Sequence, residues 1–380
     1  MSGGPMAGGL DIVILGLSIT SSWGNGHATT YRGLVRELAA QGHRVTFLER
    51  DVPWYRAHRD MPSPAGWTLA LYRDLEELYD VHAGLVRAAD AVIIGSYVPE
   101  GRAVGDWVQR AAGGLPAFYD IDTPVTLAGL ARGGTDYLAP GQVPGYGLYL
   151  SFTGGPTLRR IERELGAPMA RALYCSVDPE AHRPVETADR WALGYLGTYS
   201  PDRQPTLDRL LCAAALQLPA RRFVVAGPQY PAEIAWPANV ERIEHVGPAD
   251  HPAFYSAQRF ALNVTRADMV RAGWSPSVRL FEAAACAAPI VSDFWPGLDE
   301  LFRPGREILI ARETGDVIAA LRDMTPEQAA ALGRRARTRI LAAHTAAHRA
   351  AELEGHLLAA LSLRAARSGR AALAGGRAAG

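Results

Sequence analysis

Short apolar runs alternate with amphipathic helical stretches along nearly the whole chain, and the alternation happens twice. The runs DIVILGL (11–17), RVTFLE (44–49), AVIIGS (91–96) and PAFYD (116–120) read as strands, with helical spacing at 29–40 and 71–89. LYLSF (148–152) and ALYCS (172–176) read as two later strands. Strands this uniformly apolar must be covered on both faces, which calls for a parallel sheet flanked by helices. The polar segment EAHRPVETADR (180–190) interrupts the pattern, which resumes at Trp191. Strands follow at 192–196, 222–226, 261–264, 289–291 and 307–310, with helices at 204–216, 251–257, 277–287 and 314–323. From 326 to 363 the sequence is Ala- and Arg-rich and helical, and SGRAALAGGRAAG (368–380) is of low complexity.

The expected fold class is therefore α/β, with two Rossmann-like domains in series. A flexible start (1–10) precedes an N-terminal domain (11–183), a linker (184–190) and a C-terminal domain (191–325). Helices at 326–363 and a disordered tail at 364–380 complete the chain. A length of 380 residues fits two domains of roughly 150 residues each.

Charge narrows the chemistry. All 39 basic side chains are Arg, with no Lys, and 39 acidic residues balance them. No Lys means no Schiff-base lysine and no phosphate loop ending in GK[ST]. Phosphate must be gripped by Arg, hydroxyls and backbone N–H groups. Zero net charge gives no support to nucleic acid as a partner. Three separated cysteines without a CxxC pairing give neither a disulfide framework nor a cysteine zinc site, which fits a cytoplasmic protein. The apolar run at 12–17 is too short for a signal peptide or a membrane span, so no stable membrane insertion is expected.

Two loops stand out. In the first domain, SSWGNGH (21–27) runs from a strand into a helix, but Thr29 occupies the third glycine position of GxGxxG. Trp23, Gly24 and Gly26 instead suit a loop that approaches a second ligand. His27 reads as a base, a hydroxyl-binding group or a cap. In the second domain, Gly197, Thr198 and Tyr199 begin a turn at the carboxyl end of a strand, where ligands bind in open α/β sheets. Later, GWSPSVRLFE (273–282) opens a helix with Ser275 or Ser277 as cap, and its free N–H groups from Val278 onward attract phosphate. Arg279 on the first turn offers a forked contact, and Glu282 one turn on can accept from a vicinal diol. The same spacing also describes a capped surface helix with an Arg–Glu pair.

The segments SVRLFEAAACAAP (277–289), SDFWPGLDELF (292–302), PGRE (304–307) and LGYLGTYSPDRQP (193–205) resemble the donor region of two-domain, GT-B glycosyltransferases. With YDIDTP (119–124) and SFTGG (151–155), the resemblance narrows to the CgeB-type, spore-maturation-like family and covers about 11–363. It implies transfer of a sugar from a nucleoside-diphosphate sugar, without metal or other cofactor. Glu282 would hold the ribose, and Arg203 and Arg279 the diphosphate. The acceptor, a glycan, a lipid-linked group or a small molecule, would meet Trp23, Gly24, Gly26 and Thr123 in an interdomain cleft. Asp120 or Asp122, with His27, would act on its hydroxyl; Asp122 reads equally as a helix cap before Pro124. Residues 326–363 would cross back to brace the first domain, or else form a surface pair on the second. Trp274 stands where many retaining members have a second Glu, and Ala287 where a Gly is usual. A nucleotide-sugar-binding module without turnover and a nucleotide-sugar 2-epimerase are the alternatives.

Overall fold

The computed structural model describes residues 8–61 and 63–378, with side chains through residue 367. The chain divides into two compact units. One takes the sequence up to Tyr174 and again from Ala347, and the other is Cys175–Ala346.

The first unit is built on β1 (Asp11–Gly16), β2 (Arg44–Arg50), β3 (Thr68–Tyr72), β4 (Ala91–Gly95), β5 (Leu115–Asp120), β6 (Leu148–Ser151) and β7 (Ala170–Ala172). They form one sheet in the order β3-β2-β1-β4-β5-β6-β7, every pairing parallel. Ile12 lies opposite Val45 on one side and Ala91 on the other, so β1 is central. Val13, Leu15, Val92, Ile94 and Phe118 form part of a core completed by helix residues such as Leu78, Val104 and Val108. The edge strand β3 was not expected; its last two residues, Leu71 and Tyr72, fall in the helix expected from 71, which begins at Leu75. Asp74 sets that start, its carboxylate accepting from Glu77 N–H at 2.9 Å.

The second unit repeats the plan with β8 (Leu193–Leu196), β9 (Phe223–Ala226), β10 (Val240–Ile243), β11 (Ala261–Asn263), β12 (Ile290–Ser292) and β13 (Leu309–Ile310). Their order is β10-β9-β8-β11-β12-β13, again all parallel. Strand β10 was also unforeseen; it is a half-exposed edge. The helix expected over 204–216 is interrupted by a π-turn at Asp208–Cys212. Thr325 and Gln328 form a capping box that starts the Pro326–Ala343 helix.

Boundaries shift accordingly. The compact units divide at Tyr174 rather than after 183, and the expected strand at 172–176 ends at Ala172. The Ala346–Ala378 helix belongs almost wholly to the first unit. There His356 Nε2 lies 3.2 Å from the Ala172 carbonyl, and Arg364 donates to the Gly113 carbonyl at 3.3 Å. The backbone is helical to Ala378, where a disordered tail was expected; 379–380 lie outside the described residues. Residues 1–7 of the expected flexible start lie outside them too, while Leu10 is buried with its N–H on His43 Nδ1 at 3.0 Å.

One buried carboxylate organises the loop after β1. Glu49, fully enclosed at the end of β2, accepts from Ser18 Oγ (3.0 Å), Ile19 N–H (2.7 Å), Thr20 N–H (3.0 Å) and Thr20 Oγ1 (2.6 Å). Replacing it strands four donors in the interior. Glu49→Ala is expected to lower the unfolding free energy by about 3 kcal/mol, read from denaturant titration. A change below about 1 kcal/mol would contradict this role.

Candidate functional site

In each sheet the strand order reverses beside the first strand, and connections leave the carboxyl ends of its two inner strands toward opposite faces. In the second unit this point lies between β8 and β11, and the expected donor residues gather there.

Arg279 holds them together. Its side chain is 9% exposed, and its guanidinium lies 4.5 Å from the Tyr195 ring centroid. Nε donates to the Leu196 carbonyl, Nη1 to Asn263 Oδ1 at 2.9 Å, and Nη2 lies 3.3 Å from Tyr195 Oη. The fork is thus largely committed inside the protein rather than offered whole to a ligand. Gly197 is required above it, since a Cβ there would stand 2.5 Å from Nη2. Half-buried Thr198 and Tyr199 continue the turn, and Arg203 folds back to donate through Nη2 to the Thr198 carbonyl. Its Nε is buried with no hydrogen-bond partner. Burial, with the charges of Arg279 and Arg266 nearby, pushes the Arg203 pKa below its ordinary value.

The Val278–Ala285 helix begins at the same place. Ser277 occupies the N-cap position, but its hydroxyl donates to Asn263 Oδ1 at 2.8 Å instead of capping the helix. The first-turn N–H groups begin at half-buried Val278, and Leu280 N–H donates to the Ser277 carbonyl at 3.1 Å. Of the two serines expected as cap, Ser277 does not cap through its hydroxyl. Ser275 is buried in the preceding turn. That turn is fixed by Trp274, whose φ is +42° and whose N–H donates to the Pro296 carbonyl at 2.6 Å. At the other end of the helix, Arg337 Nε donates to the Ala285 carbonyl at 3.0 Å.

Glu282 lies one turn along, 6% exposed. Its carboxylate oxygens stand 3.6 Å from His182 Nε2 and 3.4 Å from His251 Nδ1, with Tyr255 Oη 3.4 Å from Oε2. Burial opposes its charge, but His251, His182 and Arg279 outweigh that and hold its pKa at about 2. Burial likewise lowers His182, whereas Glu282 carries His251 above the ordinary histidine value. Neither histidine was foreseen. His182 falls in the polar segment at 180–190 that interrupts the strand–helix pattern and His251 at the start of a short helix, and no local spacing joins them to Glu282.

The first-unit candidates separate by burial. Asp120 is fully enclosed, accepting from Tyr149 Oη at 2.6 Å, Thr126 Oγ1 at 2.7 Å and Asp122 N–H at 3.3 Å. Burial pushes its carboxyl up to about 6 despite those donors. Thr123 is also enclosed, its hydroxyl on the Asp120 carbonyl and Ser151 Oγ. Both are committed to internal packing, which leaves neither exposed to an acceptor. Asp122 is half-buried at the N-cap of the Thr123–Leu130 helix, yet its side chain makes no cap bond and instead accepts from Tyr97 Oη at 2.8 Å. Tyr97 lines a cavity of about 530 Å³ with Glu100, Val125, Arg132, Asp136 and Tyr137. Half-buried His27 is the first residue of the His27–Ala40 helix, with its ring edge-on to Phe152. Gly24 and Gly26 are exposed, and half-buried Trp23 stacks on His58 at 4.8 Å. Asn25, overlooked in the sequence, pins this loop, donating to the Ser18 carbonyl at 3.1 Å and accepting from His27 N–H at 3.2 Å. It sits between two exposed glycines, so nothing in the local pattern marked it as the buried member.

A model of a glycosyl transferase-like family matches residues 203–355. No curated protein matches the chain. Among solved structures it is similar to a sucrose-phosphate synthase from Thermosynechococcus elongatus, at 16% identity and a TM-score of 0.65, covering 92% of this chain and all of that one. It is similar at the same TM-score and coverage, with 12% identity, to HepE from Anabaena in complex with UDP-glucose. A glycosyltransferase involved in avilamycin A biosynthesis shares 18% identity at a TM-score of 0.57, over 92% of this chain and 98% of the other. The fold is the two-sheet α/β architecture of GT-B glycosyltransferases. Among the described residues, no helix is long and apolar enough to cross a membrane.

Asp120 yields a prediction with a definite sign. Its pKa is about 6 folded against 3.8 as the ordinary value, so its contribution to stability is complete below 3.8 and is lost as pH rises through 6. Between pH 4 and pH 7 the wild type should lose up to about 3 kcal/mol of stability relative to Asp120→Asn. Parallel denaturation curves of the two proteins across that range would exclude this ionisation.

Proposed function

We propose that the chain is a glycosyltransferase that moves a sugar from a nucleoside-diphosphate sugar to an acceptor hydroxyl, with the donor seated on the second unit. One observation carries the reading. At the carboxyl end of β8, Arg203 and Arg279 lie together, Arg203 keeps a buried Nε with no hydrogen-bond partner among the described residues, and the adjoining helix begins at Val278. Converging positive charge and a helix N-terminus at a switch point suit a diphosphate. The glycosyl transferase-like match over 203–355 and a fold shared with a protein crystallised with UDP-glucose support it.

In this reading the diphosphate lies against the start of the Val278–Ala285 helix and Arg203, with Gly197, Thr198 and Tyr199 forming the wall of the site. Arg279 acts chiefly through its charge and by holding that wall. Glu282 accepts from the ribose diol. As the bond from the anomeric carbon to the diphosphate oxygen breaks, the departing diphosphate takes the bonding pair and these positive groups stabilise it. That role needs no metal at the diphosphate. The acceptor oxygen bonds to the anomeric carbon and its proton passes to a base. Half-buried Asp122 and His27 fit that part, and enclosed Asp120 does not. Trp23, Gly24 and Gly26 are the acceptor-side candidates. The narrower assignment to the CgeB-type family rests on the sequence segments that resemble it. Three buried cysteines, none in a disulfide among the described residues, support a reducing, cytoplasmic setting.

A thermal-shift panel of nucleoside diphosphates and nucleotide sugars tests the reading. At a hundredfold excess over Kd, the right ligand adds about 2.7 kcal/mol of stability. Arg203→Ala should weaken that ligand about 10- to 100-fold while leaving the unliganded midpoint nearly unchanged. No shift with any member of the panel would remove the basis for a donor site.

A further inference from the structure

Three side chains from distant parts of the second unit converge on one buried point. His182 and Glu282 are more than nine-tenths buried, and His251 is nearly so. The ligand-type atoms of the three all lie within 4.8 Å of one another. Their separations fall between two kinds of interaction. At 3.6 and 3.4 Å, the nitrogen-to-carboxylate distances exceed those of good N–H···O bonds. They approach the spacing of about 3.3 Å between ligands that each stand about 2.0–2.1 Å from one tetrahedral ion, with each histidine facing a different oxygen of the carboxylate.

The hydrogen bonding has the corresponding gap. Among the described residues, neither ring nitrogen of His182 nor Nδ1 of His251 makes a well-formed hydrogen bond, although all three are buried and Glu282 stands beside both rings. A neutral imidazole keeps a proton on one nitrogen, so the weakly placed buried donor of His182 needs an explanation. Backbone groups stand beside both rings, that of Val246 at His251 and that of Asp178 at His182. Rings steadied by backbone groups and turned to a shared centre are usual for metal-binding histidines. Tyr255 Oη steadies the carboxylate from a further direction.

We propose that His182, His251 and Glu282 form a binding site for a divalent first-row transition ion of the zinc class. Two imidazoles and a carboxylate suit such an ion and leave a fourth position for solvent. The ion sits apart from the diphosphate groups and takes no part in neutralising them. It draws on the carboxylate that the proposed function gives to the ribose, so metal and nucleotide compete; this last step alone rests on that function.

Calorimetric titration of the chelator-stripped full chain with Zn²⁺, paired with the visible spectrum after Co²⁺ addition, tests the site. The expected result is one ion per chain, a tetrahedral Co²⁺ spectrum, and affinity reduced at least about 100-fold in both His182→Phe and His251→Leu. Each variant is checked for folding by circular dichroism, and the Co²⁺ spectrum of the wild type stands as evidence if one fails to fold. Absence of binding, or binding that folded variants retain, overturns the site. UDP is then titrated with and without Zn²⁺. Weaker UDP binding in the presence of metal supports competition, and unchanged binding overturns it. UDP binding without any Zn²⁺ binding refutes the metal site and leaves the donor reading intact. Zn²⁺ binding at these residues in a chain that binds no nucleotide does the reverse.

Discussion

The buried guanidinium of Arg279 is the contact on which the second unit's site depends. A permanent charge placed inside a protein must be surrounded by acceptors. Here they come from the end of β8, from Asn263 at the end of β11 and from the Tyr195 ring beneath. Satisfying one side chain therefore fixes the two strand ends and the helix start relative to one another. It also forces glycine at 197, because the wall of the site must pass directly over the fork. The acceptors that hold the fork are neutral, and its charge also acts on the nearby carboxylates of Glu282 and Asp293.

Arginine as the sole long cation gives this arrangement its character. Lysine can shed its proton when buried beside like charge, whereas a guanidinium stays charged. Arg203, crowded by Arg279 and Arg266, stays cationic and keeps an unpartnered Nε. An uncapped helix start adds partial positive charge to the same spot. In the proposed reading these groups are the ones that receive the donor's diphosphate. In the first unit the comparable polar groups are consumed internally, Glu49 by the loop after β1 and Asp120 by Tyr149 and Thr126.

What could be read in the sequence follows burial. The central strands are unbroken apolar runs because both faces are covered, and their order along the chain follows from the alternation. Strands β3 and β10 escaped because edge strands are half-exposed and carry mixed patterns. The residues gathered around Gly197 and Ser277 were legible because they mark strand and helix ends. Hydrogen-bond direction was not: Ser277 turns from its own helix toward Asn263. Asp120 and Asp122 look alike in a DxD pattern, and only depth separates the enclosed one from the half-buried one. His182 and His251 meet Glu282 solely through tertiary folding, so no local spacing could announce them.

A crystal structure of the chain with UDP-glucose tests the central claim most directly, which is that the second unit's arginine cluster and open helix end form the diphosphate site. The account predicts the diphosphate against Val278 N–H and Arg203, with the ribose on Glu282. A diphosphate bound instead at the Gly24–Gly26 loop of the first unit would contradict it.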